Sequence, residues 1–335
     1  MMKIPILVLL LFTSLLIKAQ TAIDDTNFQQ AINTCLSTNP VDGMCSDSEY
    51  RAMPDWNVIS VTNMGNAFST NTSFNGDIGS WDVRNVTDMS NMFWGATSFN
   101  QDIGAWDVRN VTDMSLLFWG ATSFNQDIGA WKVGNVIGMI SMFYQASLFN
   151  QDIGSWNVSS VTNMNTMFYE ASVFNQDISS WNVSSVAFME GMFDDSGLSK
   201  TNYDALLNGW STQTVQKNVA LGANGIAYCD GEDARQRLID GYAWTITDAG
   251  VDCTTAGVED KNLLAISVYP NPAKDKLCIL GLSRPSKVSI YNVLGKLVFS
   301  ETTSNEVDLK GLQSGVYIVK IMDQQKETTR KFIKN

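Results

Sequence analysis

Apolar residues recur every 25 positions through the middle of the chain. Within residues 56–193, matching positions of six consecutive units hold a tryptophan, a methionine and a phenylalanine, and further phenylalanine and isoleucine columns run beside them. The tryptophan column consists of Trp56, Trp81, Trp106, Trp131, Trp156 and Trp181. A fixed period predicts a repeat solenoid, because one unit is too small to bury its apolar face and must stack on its neighbours.

Each unit is predicted to contain short parallel strands and a short helical turn. In "FNQDI" the phenylalanine and isoleucine would share one face of a strand, with the asparagine and aspartate on the other. "WDVRNVTDM" suits a second short strand or an extended turn. In "MSNMFWGA" helical spacing places Met89, Met92 and Phe93 on one face, and Gly95 would end the turn.

The segments on either side of the repeats have a different pattern. Residues 20–55 contain "DDTNFQQAINTCL", and residues 194–255 contain "TNYDALLNGW" and "GEDARQRLIDGYAW", all three helical in periodicity. We interpret both segments as caps over the ends of the repeat core, with Trp210 and Trp244 closing one end. The alternative is that these caps are binding modules.

After a linker at residues 256–265, the pattern changes to short strands. Residues 266–335 contain the apolar runs "KLCILGL", "KVSIYNVLG", "KLVFSE" and "GVYIVKI", separated by turns, which predict a small antiparallel β-sandwich. We expect Cys278, in the first of these runs, to be a buried free thiol. The charge balance also differs between the repeats and the tail. Residues 56–193 hold eleven acidic and three basic residues, whereas residues 258–335 hold eight acidic and twelve basic residues.

The amino terminus predicts export. Residues 1–19 combine Lys3, a short apolar run and Ala19, as in a secretory signal peptide. No later apolar stretch is long enough to cross a membrane, so we expect no membrane insertion after the signal is removed. An oxidising compartment favours two local disulfides, Cys35–Cys45 and Cys229–Cys253. Metal binding by these cysteines is the alternative, although the chain has neither a CxxC pair nor a histidine.

Charge and composition narrow the functional classes. The formal net charge is −12, so nucleic acid is not an expected partner. The absence of histidine excludes Ser-His-Asp and Cys-His catalysis. Because the same cross-section repeats, no pocket of converging unlike side chains is expected inside the array. We predict that the protein is not an enzyme and needs no cofactor.

Two segments resemble known families. "VYPNPAKDKL", "SIYNVLGKLV", "LKGLQSGVYIVKI" and the terminal "KFIKN" resemble the type A C-terminal sorting domain of the type IX secretion system. The repeats resemble the BspA-like leucine-rich-repeat surface proteins, specifically their 25-residue Mycoplasma-type repeat of unknown function; the fourth unit departs from it at Lys132, Gly134, Ile137 and Gly138. The resemblances imply a leucine-rich-repeat-like solenoid, contact of the tail with the type IX machinery, and a secreted or outer cell-surface location.

Three columns of the repeat are candidates for a binding surface. An aspartate column, which includes Asp102 and Asp127, either accepts hydrogen bonds from the following bend or binds calcium between units. An asparagine column either forms a ladder between units or contacts a ligand. An aromatic column either covers the core edge or contacts carbohydrate or protein. The proposed surface residues are Asn100, Asp102, Asn125, Asp127, Trp94, Trp119, Tyr144 and Tyr169.

Adhesion or binding of an extracellular protein or carbohydrate is the leading functional hypothesis. A passive structural spacer at the surface is the first alternative. A secreted polymer hydrolase is the second, and its candidate carboxylate pairs would be Asp194 with Asp195 and Glu232 with Asp233. Carboxylates adjacent in sequence rarely approach one bond from opposite sides, which weighs against the hydrolase.

Overall fold

A computed structural model describes most of the chain, namely residues 20–253, 267–280, 282, 285–303, 305–323 and 326–335. The predicted signal peptide at 1–19 and the predicted linker at 256–265 lie outside the described residues. The chain divides into two compact units, Met1–Cys253 and Thr254–Asn335.

Outside the repeats, the described residues 20–253 of the first unit contain three helices and two strands. They are α1 (Phe28–Leu36), α2 (Lys200–Trp210), β1 (Ala220–Ala223), α3 (Glu232–Tyr242) and β2 (Thr245–Asp248), with a short 3₁₀ turn at Met53–Asp55. The three helices confirm the predictions from periodicity. Side chains at three- and four-residue spacing in α1 are buried, and the Ser199 hydroxyl caps α2 by accepting the Asn202 N–H. The parallel pair β1–β2 was not predicted.

The repeats stack in parallel, but without regular strands. Within residues 56–193, all of which the structure describes, consecutive copies are joined by isolated parallel bridges, such as Asp88 with Asp113. These bridges lie in the "VTDM" part of the repeat. The predicted strand at "FNQDI" is therefore wrong. The prediction of which side chains face the core is right, since Phe99 and Ile103 are buried and Asp102 is exposed.

The predicted helical turn is also wrong, although its buried face is right. Met89, Met92 and Phe93 are fully buried, but Asn91 and Gly95 adopt φ of 57° and 68°, which a right-handed helix does not allow. The segment is a series of tight turns. Its Met89, Asn91, Phe93 and Gly95 N–H groups donate to carbonyls of the next copy over 2.7–3.0 Å, rather than along a helix axis.

The core of the stack consists of the predicted columns. Phe93, Phe118 and Phe143 stack on one another with ring centroids 5.6 Å apart. Four buried tryptophans, Trp106, Trp131, Trp156 and Trp181, also connect neighbouring copies: the Trp106 indole N–H donates to the Ile78 carbonyl at 3.2 Å, and the other three make the same contact one copy further along. Burial of a tryptophan is favourable when its indole N–H finds such a partner.

Both flanking segments extend the same buried core. Phe28 of α1 contacts Trp81 edge-on at 5.8 Å, and Trp210 of α2 lies 6.5 Å from Phe193. Trp210 and Trp244 are both buried, as predicted. The disulfides Cys35–Cys45 and Cys229–Cys253 are both present, which confirms their pairing. The repeats were predicted to begin at residue 56 and end at residue 193. Because residues before and after these limits belong to one buried core, the core does not mark the limits, and they stay predictions.

The described residues of the second unit form two small antiparallel sheets. Its strands are β3 (Ser267–Tyr269), β4 (Lys276–Leu280), β5 (Ser286–Asn292), β6 (Leu297–Thr303), β7 (Glu306–Asp308), β8 (Gly315–Asp323) and β9 (Lys326–Lys334). The sheet orders are β3-β4-β7 and β6-β5-β8-β9. Buried side chains from both sheets meet in one core, including Leu277, Val288 and Val319. The strands confirm the predicted antiparallel tail; the short β7 was missed.

Cys278 corrects a prediction within this tail. The residue is a free cysteine, as expected, but it is half-buried rather than buried. Alternation along β4 explains the difference, since Leu277 and Ile279 take the two core positions and Cys278 points to the opposite face.

Candidate functional site: an aromatic stripe on the repeats

Four aromatic side chains form a continuous row along the repeat stack. We define the aromatic stripe as Trp94, Trp119, Tyr144 and Tyr169. Each follows a buried phenylalanine of the core and is itself half-buried. Consecutive ring centroids lie 5.5, 5.3 and 4.7 Å apart. The 25-residue period therefore places one aromatic ring per copy at the same point of the surface.

Three of the four rings of the stripe are stacked on one another. Trp119, Tyr144 and Tyr169 are nearly parallel, with interplanar angles of 13° and 7°, so each covers part of a face of the next. Trp94 is tilted by 52° against Trp119. Aromatic edges carry positive partial charge, whereas the faces are negative. Among the described residues, the indole nitrogens of Trp94 and Trp119 have no hydrogen-bond partner, and they are not buried.

The residue that directly follows each aromatic residue of the stripe changes from one end of the stripe to the other. Gly95 and Gly120 follow the two tryptophans and leave them without a flanking side chain, whereas Gln145 and Glu170 follow the two tyrosines. Gln145 Nε2 donates to Glu170 Oε2 at 2.7 Å. These flanking residues were not singled out from the sequence, although their change from glycine to larger polar residues is visible there.

One end of the stripe is acidic. Glu170 flanks Tyr169, and the next copy continues with Asp194 and Asp195 in place of an aromatic residue. The negative charge of Glu170 raises the pKa of Tyr169, with smaller contributions from burial and from Asp195. The stripe is therefore asymmetric, with uncharged tryptophans at one end and carboxylates at the other.

The candidate asparagines connect neighbouring copies. Asn100 Oδ1 accepts the backbone N–H of Asn125 at 2.9 Å, and Gln126 Nε2 donates to the Asn100 carbonyl and Oδ1 at 3.0 Å. Asn125 makes the same contacts to Asn150 and Gln151. These side chains replace the backbone ladder expected at "FNQDI". Their amide oxygens are thus occupied within the stack.

The candidate aspartates stabilise the bend that follows them. Asp102 Oδ1 accepts the Gly104 N–H at 2.9 Å, and Asp127 Oδ1 accepts the Gly129 N–H at 2.9 Å. Both carboxylates are exposed. In the part of the chain that the structure describes, no three His, Cys, Asp or Glu side chains are grouped as metal ligands. Calcium binding by this column remains a hypothesis for a chelation experiment.

The carboxylate pairs proposed for hydrolysis lie at positions where their charge or hydrogen bonds can stabilise the fold. Both oxygens of Asp194 accept hydrogen bonds from Asn224, its backbone N–H at 2.9 Å and its Nδ2 at 2.7 Å. Glu232 and Asp233 begin α3, where a negative charge favours the helix dipole.

Two family models match different parts of the chain. Residues 41–147 and 130–224 match the family described as "Mycoplasma protein of unknown function, DUF285", and together they span more than half of the chain. The chain belongs to the DUF285 family. Residues 267–335 of this DUF285 protein match the secretion system C-terminal sorting domain. The protein is therefore secreted, to the cell surface or beyond, and the sorting domain implies an interaction with the type IX secretion machinery. No described helix has the length and apolarity to span a bilayer.

Individual relatives share only short segments with this DUF285 protein. The ulvan lyase NLR42 of Nonlabens ulvanivorans is 32% identical over 76 residues, which is 21% of this chain and 14% of the lyase. PorZ, a surface component of the type IX secretion system of Porphyromonas gingivalis, is 28% identical over 24% of this chain and 13% of PorZ, with a TM-score of 0.20. The matches thus cover about a seventh of each relative.

Proposed function

We propose that the repeats form a non-enzymatic adhesion or ligand-binding module and that the aromatic stripe is its contact surface. The supporting observation is the half-exposed row of four rings in register, beside core columns of tryptophan and phenylalanine that are buried. Tryptophan and tyrosine are the side chains most enriched where binding energy concentrates. The resemblance to leucine-rich-repeat surface proteins belongs to the same proposal.

The geometry of the stripe favours an extended polypeptide over a sugar as ligand. Since the rings cover one another's faces, the stripe lacks a flat platform for stacking a sugar ring. Its edges, indole N–H groups and phenol hydroxyls suit carbonyl acceptors repeated along a chain. The carboxylates at the Tyr169 end would attract a basic side chain. The ligand is therefore an extended, neutral or basic peptide segment.

A binding panel tests this function. The purified chain without its predicted signal peptide would be applied to immobilised gelatin, polylysine, polyglutamate and cellulose, with and without calcium. We expect retention on gelatin and polylysine, and none on polyglutamate. Replacing Trp94, Trp119, Tyr144 and Tyr169 with serine should reduce retention at least about tenfold, which corresponds to about 1.4 kcal/mol.

The matched control replaces two exposed apolar residues outside the stripe, Ile137→Ser and Phe188→Ser. Equal binding by the stripe variant and the wild type would overturn the assignment of the stripe. Loss of folding in the stripe variant, seen by thermal melting, would instead place the rings in the core. Failure of the wild type to bind any material would favour the passive spacer.

A further inference from the structure

The larger sheet of the tail is apolar on both faces. In β8, Val319 and Ile321 point into the core and are fully buried, whereas Val316 and Ile318 alternate with them on the outer face. The outer pair is 38% and 43% exposed. An antiparallel sheet at a domain surface ordinarily has a polar outer face. The apolar outer face of β8 therefore needs an explanation beyond folding of the tail.

Exposed apolar side chains continue from β8 across the sheet. Strand pairing aligns Leu297, Tyr291 and Ile318 in one cross-strand row, and aligns Val316 with Ile333 in the next. Leu297 is 50% exposed and Ile333 is 38% exposed. We define the outer patch as Tyr291, Leu297, Val316, Ile318 and Ile333. The patch involves all four strands, so it is continuous rather than a set of scattered residues.

Basic residues occupy the same face. Lys331 is exposed and pairs with Ile318 in the register of β8 and β9. Lys287 lies on β5 four residues before Tyr291, and side chains at even spacing along a strand point to the same face. A continuous apolar surface bordered by charge is typical of a protein-binding site. The complementary partner would present an apolar contact bordered by acidic side chains.

We propose that the outer patch is the surface by which the type IX secretion machinery recognises this tail. The sorting-domain match, residues 267–335, includes all four strands of the sheet. A second copy of the chain is a poorer occupant, because a two-fold contact would bring the same basic border together with itself. The partner surface is therefore a component of the machinery with an apolar centre and an acidic rim.

An export assay of the full chain tests this assignment. The chain would be expressed in a bacterium with a type IX secretion system, and the amounts outside the cell and in the periplasm would be measured. The test variant is Ile318→Thr with Ile333→Thr, since threonine retains β-branching and both positions face outward. We expect the exported fraction to fall at least about tenfold, with folded protein accumulating in the periplasm.

The matched control is Leu148→Thr with Val173→Thr, which removes two exposed apolar residues from the repeats. We expect it to be exported like the wild type. Wild-type export of the test variant would overturn the proposal, as would an equal loss in the control. Limited proteolysis of the periplasmic protein establishes whether each variant is folded.

A charge variant decides the outcome if the double variant does not fold. Lys331→Glu changes an exposed residue beside the patch and leaves the core unaltered. We expect lower export, because the new carboxylate would face an acidic rim. Unchanged export of folded Lys331→Glu, together with unfolding of the double variant, would overturn the proposal. Since the double variant of the tail and Lys331→Glu leave the repeats unaltered, these results are independent of ligand binding by the aromatic stripe.

Discussion

Gly104 shows how closely the backbones of neighbouring repeats approach each other. A Cβ atom at this position would lie 2.5 Å from the Asp127 carbonyl oxygen of the next copy, and one at Gly79 would lie 2.6 Å from the Asp102 oxygen. The last copy of this column is Ser179, where the close neighbour is Gly209 of α2. Each of these close backbone contacts thus requires a glycine in one of the two segments. Where the repeat has Ser179 instead of glycine, Gly209 of the C-terminal cap is the glycine of the contact.

Gly104→Ala should lower the free energy of unfolding by about 1–3 kcal/mol, because the methyl group overlaps the neighbouring backbone. Gly241→Ala is the control. This glycine lies near the end of α3, where an added methyl group would meet no neighbouring atom within 4 Å, and its replacement should stabilise by up to about 1 kcal/mol. Urea unfolding measures both. Equal changes of the same sign would contradict the steric explanation.

Asn125→Ala should destabilise the stack by about 1–3 kcal/mol, since the N–H of Asn150 loses its acceptor and the amide of Gln151 loses one of its two acceptors, keeping only the Asn125 backbone carbonyl. Asp127→Asn retains the oxygen that accepts the Gly129 N–H, so its effect should stay within about 0.5 kcal/mol. Thermal melting of the two variants compares them. A stable Asn125→Ala protein would mean that the asparagine column is not structural.

At the scale of elements, one ion pair connects the parts of the C-terminal cap. Arg235 of α3 donates from Nε to Asp248 Oδ2 of β2 at 2.8 Å, and the Tyr203 hydroxyl of α2 donates to the same oxygen at 3.0 Å. Arg235 also lies 5.1 Å above the Tyr228 ring. Burial, and then the charge of Asp248, raise the pKa of Tyr203. The cap is therefore held by a network that needs a neutral tyrosine.

This network predicts sensitivity to alkali. Because the pKa of Tyr203 is raised on folding, its contribution is fully present below about pH 10, the ordinary tyrosine value, and declines as the pH rises further. Tyr203→Phe should cost about 1.5–3 kcal/mol at neutral pH and should lose less stability than the wild type above pH 10. Chemical unfolding at several pH values tests this; parallel pH profiles would contradict it.

At the scale of the whole molecule, charge is unevenly distributed. The repeats hold eleven acidic and three basic residues, and the candidate aspartates recur once per copy on one side of the stack. Like charges in register repel one another, so this repulsion lowers the stability of the folded stack. Each such aspartate partly offsets this cost by accepting a backbone N–H.

Raising sodium chloride from about 10 mM to about 150 mM should therefore raise the Tm by a few degrees through screening. EDTA should leave the Tm unchanged. Calcium and magnesium chloride at equal ionic strength provide the comparison, with differential scanning calorimetry as the measurement. A larger stabilisation by calcium than by magnesium would show that the aspartate column binds the ion.

Several features followed from the sequence alone. The 25-residue period identified the buried columns, because a core made of identical copies requires identical apolar positions. The helices α1, α2 and α3 and the tail strands followed from their periodicities, and each disulfide joins cysteines that are near in sequence. These features depend on local pattern or exact repetition, which the sequence contains directly.

Only the tertiary structure decided how the copies are joined and what the surface presents. Asn100 and Gln126 replace a predicted strand ladder with side-chain hydrogen bonds, and positive φ at Asn91 replaces a predicted helical turn. The rings of the stripe stack on one another from copy to copy, and Ile318 lies on an exposed sheet face. Each of these depends on contacts between residues distant along the chain, and local sequence pattern does not determine the geometry of such contacts.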